Sequence, residues 1–159
     1  MRLDRQARRV QCVRVTAVRD YKDLIAFQLA EEFKGEVQRI VQGSAAAARN
    51  VKFSDQLLDA SSSVSKNVAE GFLRYSPATF AQFLDYACAS LVEAERWLRD
   101  GYQRKYYELR GCEPAFRLAR RCLVAMIRLK QSQARYLEER SPPPKPSKRR
   151  RRRRGDRPS

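Results

Sequence analysis

Between residues 21 and 137 the apolar residues recur with the period of an α-helix, and a proline block at 142–144 stops the pattern. No alternating run of strand length interrupts it, and Val, Ile and Thr are sparse, so a sheet is excluded and an all-α fold is predicted. The first helix is expected from about Tyr21 to Gln42. Leu24, Phe27, Ala30 or Glu31, Lys34, Val37 and Val41 follow i, i+3/i+4 steps, with Ile25, Leu29, Phe33 and Ile40 widening the stripe. Gly43-Ser44 ends it, and Ala45 to Ala48 lead into a connection. The second helix is expected to open at Ser54, an N-cap residue followed by Asp55, with Leu57, Ser61, Val64, Val68 and Phe72 on one side. Ser76-Pro77 opens the third, a cap followed by proline at the first helical position. Phe80, Phe83, Leu84, Ala87, Leu91, Ala94 and Leu98 form its stripe, and Gly101 lies near its end. The fourth is expected from Glu113-Pro114 to about Leu137. Helices of roughly 20–25 residues, about 30–38 Å long, with short connections give an up-down-up-down antiparallel four-helix bundle. Ser61, Ser62, Ser63 and Ser65 are poor helix formers, so packing through small side chains must hold the middle of the second helix.

Charge divides the chain into three. The formal net charge is +16, from 34 basic and 18 acidic side chains. Residues 1–20, a basic N-terminal extension, hold six basic and two acidic side chains; residues 21–140, the bundle, hold 19 and 15; residues 141–159 hold nine and one. The last segment, with five prolines and nothing apolar to bury, is expected to be a disordered Pro/Arg-rich tail. Inside the bundle, residues 21–98 carry eight basic and ten acidic side chains, whereas 99–140 carry eleven and five. The domain is polarised toward its last third.

The chain contains no histidine. An imidazole general base, a Ser-His or Cys-His nucleophile pair and a His-containing metal site are therefore excluded. No apolar run approaches the ~18 residues of a membrane span, and no apolar core follows Arg2, Arg5, Arg8 and Arg9 as a secretory signal requires. Cys12, Cys88, Cys112 and Cys122 show no C-x-x-C spacing. Cys88 and Cys122 fall on core arcs, Cys112 in the loop before the fourth helix and Cys12 in the extension, which fits a reducing, cytoplasmic setting. No cofactor, no metal and no membrane partner are expected.

At 100° per residue, Arg117, Arg121, Arg128 and Arg135 fall within roughly 40° of one another on the fourth helix, with Arg120 beside them. They lie opposite an arc of Phe116, Ala119, Cys122, Leu123, Met126 and Leu129. The stripe spans roughly 27 Å, can track phosphates, and has Tyr136 beside it to stack on a base. The unbroken run Lys148, Arg149, Arg150, Arg151, Arg152, Arg153, Arg154 adds binding to RNA or DNA without sequence preference. The alternative is a solvated face and a tail that takes any polyanion. Trp97 is expected to be a packing residue, or a subunit contact in an assembly.

From Gln56 to Glu95 the chain reads QLLDASSSVSKNVAEGFLRYSPATFAQFLDYACASLVEAE. This resembles the signature of the four-helix bundle family of rRNA intervening-sequence proteins, Q-I-R-R-A-A-x-S-I-P-x-N-I-A-E-G-F-x-R, then a serine and an F-x-x-F-L helix with S-L-x-E. Gln56, Leu57, Ala60, Ser61, Ser63, Val64, Asn67, Val68, Ala69, Glu70, Gly71, Phe72, Arg74, Ser76, Phe80, Phe83, Leu84, Ser90, Leu91 and Glu93 carry it without gaps, and YKDLIAFQLA from Tyr21 is similar to the family's first helix. The paired arginines of that pattern are Leu58 and Asp59 here, and its proline is Ser65, which leaves the second helix straighter. The resemblance implies a non-enzymatic protein that assembles as a ring-like homopentamer. A related branch serves diversity-generating retroelements as an accessory that binds nucleic acid and a reverse transcriptase. Asn67 and Glu70, and likewise Ser90 and Glu93, sit one turn apart. They are expected to form a buried or inter-subunit polar network rather than a catalytic pair. The expectation is thus a non-catalytic, oligomeric bundle binding RNA or DNA, alongside a reverse transcriptase or an rRNA insert element. The rival is a protein-interaction scaffold whose basic termini are incidental.

Overall fold

The computed structural model describes residues 18–140; the chain up to residue 17 and from residue 141, including Lys148–Arg154 and Cys12, lies outside the described residues. Among the described residues there are four long helices, one short one and no strand. The long helices are α1 (Ile25–Gln42), α3 (Val51–Leu73), α4 (Pro77–Gln103) and α5 (Leu109–Arg140), and α2 is Ala45–Arg49. They pack in the cyclic order α1, α3, α4, α5 and back to α1, which is the expected bundle. Phe33, Leu57, Val64, Val68, Leu84, Leu91, Leu98 and Met126 fill its centre, all essentially inaccessible to solvent.

Three helix starts depart from the expected pattern, and each follows from a local hydrogen bond or burial. A 3₁₀ turn at Tyr21–Asp23 precedes α1, capped by Asp20, whose Oδ1 accepts from the Lys22 amide at 2.9 Å. Ala26, Leu29, Ala30, Phe33, Val37, Ile40 and Val41 are the buried face of α1. Ile25 is instead exposed, and Lys34 leaves the stripe to pair with Glu31. The alanine run is not a plain connection: Ser44 Oγ accepts from the Ala47 amide at 3.1 Å and turns it into α2. Ser54 is not the cap of the next helix. Asn50, an equally favoured N-cap residue, accepts from the Phe53 amide at 3.1 Å, so α3 begins at Val51. Ser54 lies inside α3 and donates at 2.8 Å to the Ala47 carbonyl, satisfying the end of α2.

The fourth long helix also begins a turn earlier than Glu113-Pro114. Burial of Cys112 and Ala115 draws that turn into α5, leaving Pro114 within the helix. The proline costs one ladder bond, to the carbonyl of the exposed Arg110. The Ser76-Pro77 start of α4 is as expected, with Ser76 Oγ accepting from Thr79 N at 3.4 Å.

The serines of α3 behave as the packing argument requires. Ser61 and Ser65 are buried, and each turns its hydroxyl back on the carbonyl three residues earlier, at 2.8 and 3.3 Å. Burial presses the Glu31 carboxyl upward, but the hydrogen bond and charge of Lys34, with the polar Ser65 hydroxyl nearby, hold it below its ordinary value. α3 runs without interruption through Ser65.

Two glycines permit the closest approaches. A Cβ on Gly71 would lie 2.5 Å from Phe83 Cβ and 2.9 Å from Phe80 Cδ2, so α3 meets the first turns of α4 there. A Cβ on Gly101 would meet the Tyr107 hydroxyl at 2.2 Å and Phe53 Cζ at 2.6 Å. Around Gly101 the end of the bundle is closed by Tyr106 and Tyr107. Phe53 packs edge-on against Tyr106 and Trp97, Asn50 Nδ2 donates to Tyr106 Oη at 2.7 Å, and Tyr107 Oη donates to the Leu98 carbonyl at 3.1 Å. α4 ends in a Schellman motif: Tyr106 N donates to Gly101 O and Lys105 N to Tyr102 O, with Lys105 left-handed at φ 60°.

Gly71→Ala is expected to destabilise the bundle by about 2–3 kcal/mol, because the added methyl meets ring and backbone-proximal carbons rather than a flexible tip. Lys105→Gly is expected to stabilise it by about 1 kcal/mol by relieving the left-handed backbone. Thermal melts of the two variants beside the parent chain check both signs.

Candidate nucleic-acid interface

α5 places its charged face as its periodicity requires. Cys112, Ala115, Ala119, Cys122 and Met126 are buried, and Arg117, Arg120, Arg121, Arg128 and Arg135 are all exposed. None of these five arginines has a carboxylate partner among the described residues. Five other cations, Lys34, Arg39, Arg74, Arg104 and Lys130, are each held by Glu31, Glu36, Glu70, Asp100 and Asp85 respectively. Lys22, Arg49, Lys52 and Lys66 have no carboxylate partner either, so what sets α5 apart is that five such arginines share one helix. The stripe is divided, however. Val124 and Ile127 are exposed between Arg121 and Arg128, and Val92 of α4 is exposed as well. Tyr136 is exposed, but Arg140 lies over its ring at 5.1 Å and donates to its hydroxyl at 2.6 Å, so one face of the ring is already taken.

Three further arginines, absent from the sequence reading, join the basic surface from α4. Arg96, Trp97, Arg99, Asp100, Gln103 and Arg104 line a groove of about 430 Å³. Arg99 is fixed over the Phe116 ring of α5 at 4.7 Å. Arg104 Nε donates to Asp100 Oδ2 at 2.7 Å, and that hydrogen bond raises its pKa further above the ordinary arginine value. Arg96 has no carboxylate partner among the described residues. The Arg99–Phe116 contact and the Lys130–Asp85 ion pair set the level of α4 against α5. They bring the turn of Arg96 and Arg99 beside the turn of Arg117 and Arg120. The signal available earlier was the excess of eleven basic over five acidic side chains in residues 99–140. Which helix faces adjoin is a tertiary fact that no single-helix projection contains.

Trp97 packs edge-on against Phe53 with ring centroids 5.9 Å apart, the packing role expected of it. Its Nε1 is buried and has no acceptor. An orphaned buried donor costs roughly 1–3 kcal/mol.

No hydrogen bond joins the four polar signature residues to one another. Asn67 and Ser90 are half-buried, Glu93 is exposed, and Glu70 pairs with Arg74. A network buried within one protomer is therefore not what they form. Among the described residues no group of three or more His, Cys, Asp or Glu could hold a metal ion. No helix there is long and apolar enough to cross a membrane.

The cysteines Cys88, Cys112 and Cys122 are free. Cys112 is in the first turn of α5 and buried, not in a loop, because the helix starts earlier than Pro114. Burial pushes its thiol up to about 11. Burial pushes Cys122 up to about 12, and its Sγ points to the Ala26 carbonyl at 3.6 Å. Half-buried Cys88 is also raised, by burial first and then by Asp85.

The family model of the 23S rRNA-intervening sequence protein matches residues 22–124. The chain belongs to this family. The match runs from the turn before α1 to the middle of α5 and includes both glycine approaches, the groove on α4, and Arg117, Arg120 and Arg121. Arg128 and Arg135 lie beyond it. Curated proteins give no significant match to the chain.

The raised thiols link stability to pH. A proton held more tightly in the folded chain than in the unfolded one stabilises the fold fully below the ordinary value of 9, and that contribution is lost as pH rises toward about 11 and 12. Guanidinium unfolding at pH 7.5 and pH 10.5 is expected to show a lower midpoint at the higher pH. The drop is expected to be smaller in Cys122→Ala.

Proposed function

We propose that this bundle is a non-catalytic protein that binds RNA or DNA through the exposed face of α5, works as a homo-oligomer, and assists a reverse transcriptase or an rRNA insert element. The observation that carries the reading is the group of five exposed arginines without carboxylate partners on one helix, Arg117, Arg120, Arg121, Arg128 and Arg135, in the part of the bundle (residues 99–140) that holds eleven basic side chains against five acidic ones. Guanidiniums free of carboxylates are available for bidentate phosphate contacts. The run Lys148–Arg154 adds seven consecutive cations for the same polyanion. A ring of copies, pentameric by family resemblance, repeats the basic face around its axis. Asn67, Glu70, Ser90 and Glu93 then have partners available across a subunit boundary that they lack inside one protomer. Free, buried thiols suit a reducing cytoplasm.

A second reading has its own support. Val92, Val124 and Ile127 are exposed large apolar side chains on α4 and α5, and such exposure suits a protein-interaction scaffold.

Gel-shift titration with the full chain and with a chain ending at Arg140 separates the two. Charge reversal of Arg117, Arg121 and Arg128 to Glu is expected to weaken binding at least tenfold and to lower the salt slope by about 2–3. Unchanged affinity removes α5 from the account. No binding by the full chain favours the scaffold.

A further inference from the structure

The groove on α4 combines three observations that the bundle itself does not use. It carries three guanidiniums, Arg96, Arg99 and Arg104, against one carboxylate, Asp100, which is already engaged by Arg104. Arg99 and Arg104 are held in place by Phe116 and Asp100, so two of the three cations are pre-positioned. On the groove wall stands Trp97, whose buried indole N–H has no acceptor. A cavity of about 430 Å³ is of the size that encloses a small ligand.

We propose that this groove is a single-strand subsite: it seats one nucleotide of an unpaired RNA or DNA strand. The phosphate lies among Arg96, Arg99 and Arg104, beside Trp97 on the groove wall. This rests on the nucleic-acid reading above and specifies its substrate class. A duplex presents its phosphates on a stiff convex cylinder and touches projecting side chains, whereas an unpaired strand can bend one nucleotide into a recess. The fixed Arg99–Phe116 contact places the groove beside Arg117 and Arg120, so the strand continues from α4 onto α5.

The test uses the full chain, an unpaired oligothymidylate and a duplex of the same length at physiological salt. Trp97 is the chain's single tryptophan, so its emission reports the groove alone. Saturable change of that emission with the unpaired strand is expected. Arg96→Gln with Arg104→Gln is expected to lower affinity for the unpaired strand about tenfold and its salt slope by about 1.4, that is ~0.7 per lost contact. Duplex affinity is expected to move less than twofold. Both arginines are exposed, and circular dichroism verifies that the variant folds. Equal weakening for both nucleic acids, or emission unmoved by saturating single strand, overturns the subsite and leaves the binding reading standing. Oligoglutamate that moves Trp97 emission and loses affinity in the variant as strongly as the unpaired strand assigns the groove to an acidic protein and overturns it too. No binding of either nucleic acid overturns both proposals.

Discussion

At two places α3 and α4 come together where a side chain is missing. At Gly71 and at Gly101, near opposite ends of α3 and α4, aromatic rings occupy the space a Cβ would need. With both ends pinned, α4 has one register against α3, and the rest follows from it. Asp85 meets Lys130, Arg99 meets Phe116, and α5 lies in a single rotation with Cys112, Ala119, Cys122 and Met126 inward. The outward arginines are a consequence of that rotation, because on a helix a fixed inner face fixes the outer one.

The all-α class, the four long helices, the Ser76-Pro77 start and most core positions were legible from apolar period and capping residues alone. The other helix starts were not, and for α3 the reason is competition between equally qualified caps. Asn50 and Ser54 both fit an N-cap; Asn50 takes the Phe53 amide, and Ser54 works inside the helix, where its hydroxyl donates to the Ala47 carbonyl. Proline was misleading in the same way. Glu113-Pro114 reads as a start, but burial of Cys112 outweighs one lost ladder bond.

The basic face was half legible. Positions along α5 follow from 100° per residue, so Arg117, Arg121, Arg128 and Arg135 emerge on one side from arithmetic. Arg96, Arg99 and Arg104 belong to a different helix with its own projection, and the groove exists only because α4 and α5 adjoin at that level. The four polar signature residues show the limit of spacing on separate helices, since within one protomer no hydrogen bond joins them and Glu70 pairs with Arg74 instead.

The uneven distribution of charge has a consequence beyond any single contact. Within the bundle, residues 21–98 carry two more acids than bases and residues 99–140 six more bases than acids, so the molecule is a permanent electric dipole. A body of this kind rotates in the field of a polyanion before it touches it. Its collisions are thereby sorted in advance, with the α5 side leading. At low ionic strength the same dipole aligns neighbouring copies, opposite signs together, so its orientation in a crowd depends on the salt that surrounds it.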